Sequence, residues 1–182
     1  MNNKINKINF TANYIKPAII KKNDGNGNFR PYKVSVAELD CKNRNDVRAL
    51  KKTGQEWKEF SSEIYWDFID NCKNNLNRHF YAITSQTDDY EHLRHDEIMG
   101  LAEFEEDKNV NTLVFLQVNP ELNYTSAESE YKYIGTAMLD FLAATFPQKY
   151  IKVFPVPTAY EFYLKNDFTP IPGTDKRYLW NA

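Results

Sequence analysis

The sequence is short of several things, and each shortage excludes something. Its 182 residues include only two cysteines, Cys41 and Cys72, far apart in the chain and in no metal-ligand spacing. That excludes a disulfide-stapled secreted scaffold, and the expectation is two buried thiols of a reducing cytoplasm. Histidine is scarce too, with three. His92 and His95 stand in DDYEHLRHDE as a His-x-x-His pair without a third ligand. This reads as a solvated loop rather than a zinc site, and no metal is expected. His79, ahead of a strand, has no evident partner. No apolar run approaches the length of a membrane span. The opening MNNKINKINF lacks the apolar stretch of a signal peptide, so a cytoplasmic protein is expected. An excess of charge is also missing: the net charge is −2 and the pI is near 6.0. Nothing in that total draws the chain to nucleic acid or an anionic membrane, although a local basic patch remains compatible with it.

What is present is a core. At 42% hydrophobic and 15% aromatic residues, the chain reads as one folded domain over 12–182 behind a flexible polar leader, 1–11. Residues 12–39 predict two strands around the turn NDGNGN, because Asn-Gly pairs between apolar runs favour a hairpin. No helix follows GNG directly, so it is not a phosphate loop. NRNDVRALKKTGQEW predicts a helix. A second begins after Ser61 or Ser62, with Ile64, Phe68, Cys72 and Leu76 on one face. RHFYAITS and EIMGLAEFEE predict strands. NTLVFLQV, nearly all apolar, predicts a mid-sheet strand covered on both faces. A helix over roughly 131–146, stopped by Pro147, precedes the strand YIKVFPV. The short helix TAYEFYLKND and a terminal strand pair complete an α+β order.

The stretch EYKYIGTAMLDFL opens this late helix with small residues. Either the helix packs closely there, or its free N–H groups and positive dipole end receive an anion, with Lys132 and Thr136 assisting. KYIGTA fits Arg/Gln-x-x-Gly-x-Gly/Ala, with lysine in the first position. Downstream, AYEFYLKNDF fits A-x-x-F-Y-x-K-x-G-F, with Asp167 in place of glycine. Strand, phosphate-type loop, helix, strand and FY helix, in that order, resemble the GNAT superfamily of acyl-CoA-dependent N-acetyltransferases. The specific motifs lie within 112–168.

The resemblance implies a single α+β domain whose mixed, mostly antiparallel central sheet is flanked by helices. It implies acetyl-CoA as acyl donor. The diphosphate would lie on the backbone of Lys132, Tyr133, Ile134, Gly135, Thr136 and Ala137, and the pantetheine arm beside Leu116, Gln117 and Val118. The central strand would splay from YIKVFPV, leaving an N–H near Val118 for the thioester oxygen. Tyr163 would protonate the departing thiolate, with Phe162 as packing or as a wall. The expected reaction is direct acetyl transfer to a primary amine of a small molecule or protein, with no membrane partner and nucleic acid disfavoured; a homodimer is an expectation by analogy.

Three features depart from the pattern. The loop ELNYTSAESEY, 121–131, is long and acidic. Val156 stands where an asparagine is usual. No glutamate occupies the usual base positions, at Thr112 or at Tyr150, Ile151 and Lys152. Glu103 is the substitute taken as catalytic, with Glu105 on the same face and Glu121 beyond the strand as further candidates. Three rival readings follow: a catalytically degenerate acyl-CoA-binding or interaction protein, a toxin-like enzyme acetylating charged tRNA, and an unrelated nucleotide-binding domain.

Overall fold

Local hydrogen bonds build the first turn. The side-chain oxygen of Asn23 accepts from the N–H groups of Gly25 and Gly27, and that of Asp24 from those of Asn26 and Asn28. Gly25 and Gly27 both sit at φ +84°, where a side chain would be strained. The flanking runs pair antiparallel as β1 (Asn13–Asn23) and β2 (Phe29–Glu38). The hairpin expectation holds.

The computed structural model describes residues 13–57, 61–74, 77–87, 93–122, 129–147, 150–174 and 177–181. The leader to residue 12, Leu76, His92 and the middle of the acidic loop, 123–128, lie outside them. The hairpin is followed by α1 (Arg44–Trp57), α2 (Ser61–Asn74), β3 (Arg78–Thr84), β4 (Ile98–Glu105) and β5 (Val110–Val118). Then come β6 (Tyr131–Lys132), α3 (Ile134–Thr145), β7 (Tyr150–Val153), α4 (Tyr160–Lys165), β8 (Thr169–Pro170) and β9 (Tyr178–Asn181). The strands form one sheet in the order β6-β1-β2-β3-β4-β5-β7-β9-β8. Only β5 and β7 run parallel, as a strand–helix–strand crossover requires. This is the mixed, mostly antiparallel α+β sheet that was expected.

Period-two alternation gives the sheet two apolar faces. Ile20, Val36, Tyr81, Ile83 and Phe104 pack under Met138, Phe141 and Leu142 of α3, and Tyr163 of α4 joins this cluster. On the other face Ala37, Phe80, Ala82 and Leu101 meet Leu50 and Trp57 of α1 and Ile64 and Phe68 of α2. Phe68 meets Phe80 edge-on at 5.1 Å. No helix among the described residues is long and apolar enough to cross a membrane.

Several expectations are corrected. The late helix starts at Ile134, because Tyr131 and Lys132 are drawn into pairing with Lys22 and Lys21 of β1. β5 lies mid-sheet, but its outer half is not covered on both faces, and Val114 is 42% exposed. YIKVFPV is a strand only to Val153, since Pro155 cannot donate to a ladder. The two cysteines are half-buried rather than buried. They come together in space: burial, and then hydrogen bonding to Cys72, push the Cys41 thiol up to about 12.

Buried ionisable groups tie stability to pH. Asp46 is fully buried at the head of α1; it accepts from the Asp40 N–H at 2.9 Å, while its Oδ1 has no partner. Burial raises its pKa to about 7. Burial, then Asp67, raise Glu103 to about 7. His79 hydrogen-bonds Glu38 at 2.8 Å, which raises its pKa. All three hold their protons more tightly folded than unfolded, so the fold is favoured while they are protonated. Stability should therefore fall as pH rises from about 5 to 8, with Asp46 and Glu103 each contributing on the order of 3 kcal/mol. Urea midpoints across that range test this, and Glu103→Gln should flatten the profile. Asp167, at φ 63°, occupies the left-handed position of the motif's glycine. Asp167→Gly should raise stability by about 0.5–1 kcal/mol, measurable in the same titration.

Candidate active site

The site hangs on the outer half of β5. Glu103 and Phe104 of β4 pair with Phe115 and Leu113, which leaves Val114 as an extra residue. Such a bulge bends and twists its strand. β7 follows β5 only from Val110↔Tyr150 to Leu113↔Val153. Beyond that point the ladder ends. The Asn119 N–H donates to the Met99 carbonyl at 2.9 Å. Alternation along the antiparallel ladder then turns the N–H and C=O groups of Leu116 and Val118 away from β4 and into the gap.

The head of α3 adjoins this gap. Tyr133 precedes it in the left-handed conformation, φ 68°, and no side chain caps the helix. A bulky residue there is strained. The Ala137 N–H is the first to find a carbonyl, that of Tyr133 at 2.9 Å. The N–H groups of Ile134, Gly135 and Thr136 come before it, at the positive end of the dipole.

Gly135 has a packing partner. A Cβ placed there would lie 2.9 Å from Phe162 Cζ and 3.7 Å from Val118 Cγ2. A Cβ on Gly100 would lie 3.1 Å from Ile134 Cγ2. Two missing side chains thus seat the head of α3 against β4, β5 and α4. Phe162 is in contact with the head of the helix, in accord with its expected packing role. Its ring meets that of Tyr163 edge-on at 5.1 Å, and Phe168 closes the other side at 5.2 Å. Tyr163 is 5% exposed, and burial raises its pKa above the ordinary phenol value. It remains a protonated donor across the working pH range.

Glu103 is no solvated strand end. It is fully buried on the α2 side of the sheet, opposite Phe115 and so beside the bulge. Arg78 donates to its Oε1 at 2.7 Å, and its Oε2 has no hydrogen-bond partner. Gln117 Oε1, on the same side, is also buried without a partner. Glu105 is held 3.6 Å from Arg78, and Glu121 is exposed beyond the strand. Lys132 is directed elsewhere than the helix head: its Nζ lies 3.9 Å from the centroid of Phe29. His95 pairs with Glu56 at 3.1 Å.

The structure therefore joins Val118, Gly135 and the Phe162–Tyr163 pair, and aligns Leu116 with the gap. Sequence reasoning missed Arg78 and Asp67, whose partnership with Glu103 forms only through the fold. Gly100 carried a usable signal, since glycine inside a strand often marks a close approach. Gly135→Ala should lose stability despite its better helix propensity, and the same substitution should cost much less when made in a Phe162→Ala background. Chemical denaturation of the two single variants and the double variant tests the coupling.

No family model and no curated protein sequence matches the chain. Solved structures do. A GNAT-family acetyltransferase from Staphylococcus aureus Mu50 superposes with a TM-score of 0.53 at 17% identity, over 81% of this chain and 98% of that one. PaiA N-acetyltransferase from Thermoplasma acidophilum, in complex with coenzyme A, gives 0.50 at 16%, over 80% and 96%. AtaT matches in two complexes. AtaTR bound with acetyl-CoA gives 0.54 at 12%, over 81% and 92%. AtaT complexed with acetyl-methionyl-tRNAfMet gives 0.51 at 13%, over 81% and 94%. At such identities the likeness carries the fold and leaves the acceptor open. Bulge, splayed strands and bare helix head together belong to one architecture: this chain has the fold of the GNAT acetyltransferases.

Proposed function

We propose that this protein transfers an acetyl group from acetyl-CoA to a primary amine. The observation that carries the reading is the end of the β5–β7 ladder at Leu113 and Val153, which leaves the outward backbone groups of Leu116 and Val118 without a strand partner, together with the uncapped N–H groups at the head of α3. An extended amide-bearing chain fits the first and a diphosphate the second.

Acetyl-CoA supplies the acyl group as a thioester, and the chain's residues do the rest. Leu116 and Val118 offer backbone partners to the pantetheine amides. The N–H groups of Ile134, Gly135 and Thr136 receive the diphosphate. The Val118 N–H meets the thioester oxygen, where negative charge grows as the amine nitrogen bonds to the carbonyl carbon. When the C–S bond breaks, the Tyr163 hydroxyl gives its proton to sulfur and is later reprotonated from solvent. Glu103, at about 7, takes the proton that the amine loses, through water because it is buried. A second reading keeps acyl-CoA binding without turnover; the ion pair that engages Glu103 with Arg78 favours it.

Calorimetry with acetyl-CoA, CoA and ATP tests the first step. Acetyl-CoA should bind, and Thr136→Glu, which sets a carboxylate among the free N–H groups, should weaken it at least tenfold. Binding of ATP alone, or of nothing, would sink the proposal. With an accepted amine, Tyr163→Phe should lower kcat about 100-fold or more with little change in acetyl-CoA affinity. Activity should rise with pH through about 7, and Glu103→Gln should abolish that rise.

A further inference from the structure

The outward face of the β1–β2 hairpin is cationic, although the chain as a whole is weakly acidic. Lys21 of β1 stands directly opposite Lys132 of β6. Lys33 of β2 pairs with Ile19, two residues from Lys21, so it is Lys21's diagonal neighbour, about 7–8 Å away. Alternation sets all three opposite Ile20 and Val34, which enter the core beneath α3. All three are exposed, and none has an ion-pair partner among the described residues. Two other cations of the hairpin are engaged, Lys22 with Glu130 at 3.3 Å and Arg30 with Asp24 at 3.3 Å, while Lys16 stands further along β1. Like charges directly across a ladder repel, so this arrangement destabilises the free protein and favours a partner that neutralises it.

We propose that this face binds the phosphate backbone of a nucleic acid. Three strands make a strip about 10 Å wide, which suits one phosphate backbone rather than a flat membrane. All three groups are ammonium ions, point charges that suit phosphate oxygens. A surface for protein carboxylates more often presents the guanidinium fork. Exposed side chains lie among them for bases to rest on: Ile19 at 69% exposure and Tyr133 at 54%, the latter with Lys21 Nζ 5.0 Å from its ring centroid. Lys132 and Tyr133 lead directly into α3, so the strip ends beside the helix head proposed to receive the donor's diphosphate. The inference deepens the acyltransferase reading, on which it rests for the role of the bound molecule: the acceptor's amine would be carried by a nucleic acid or by something attached to one.

The test is binding of a labelled single-stranded RNA oligonucleotide and of unfractionated tRNA, without acyl donor, over a range of salt concentrations. Lys21→Glu with Lys33→Glu should weaken binding at least tenfold and make the salt dependence shallower by about one to two units of slope. The pair should retain the far-ultraviolet circular dichroism and the acetyl-CoA affinity of the parent. Three results would overturn the proposal: no RNA binding at low salt, binding to phosphatidylserine vesicles in preference to RNA, or loss of acetyl-CoA affinity in the charge-reversed protein. The last would assign these lysines to the donor instead. Because RNA binding is read without donor and acetyl-CoA binding without RNA, failure of one reading leaves the other standing.

Discussion

Everything proposed for this chain depends on a broken ladder. Two strands that begin as a parallel pair stop pairing after Leu113 and Val153. Backbone groups at mid-sheet are normally consumed by their neighbours, and leaving them open is costly unless water or a ligand takes them. One extra residue at Val114 bends β5, and Pro155 denies β7 a continuing ladder. The break also fixes the place of α3, because the chain leaving β5 re-enters the sheet only at the far margin before the helix turns back over it.

The proposed donor site is assembled from contributions that are weak one by one. A bare glycine, a phenylalanine and a valine make the junction of three elements. A helix end offers its charge only because nothing caps it. The buried carboxylate on the opposite face is kept by an arginine from the adjoining strand and raised by burial and by an aspartate of α2. The head of α3 and this carboxylate lie on opposite sides of one sheet, joined by the bulged strand that passes between them.

Much of this was legible in the chain. Period-two runs located the strands, Asn-Gly pairs the hairpin, and small residues after a buried run the helix head. Asp167, which stands where the second motif has glycine, takes the left-handed conformation that glycine adopts most easily, and nothing in the motif alone stated that conformation. What was not legible depended on distance along the chain. Nothing local told Tyr131 and Lys132 to pair with β1 rather than begin the helix. Apolar composition gave NTLVFLQV two covered faces, yet coverage is decided by where a separate strand departs. The side-by-side placement of Lys21, Lys33 and Lys132 is set by strand register, which no local pattern states.

The margins of the sheet carry a last consequence. Among the described residues, β6 covers only Lys21 and Lys22 of β1, leaving Lys16 to Ile20 as an outer strand. Lys16 places a charge on that margin, and Pro17 lacks the N–H that an incoming strand would need. The opposite margin is β8, two residues long and ending in Pro170. Neither offers a template for strand addition. Copies of this protein at high concentration are thereby discouraged from polymerising edge to edge.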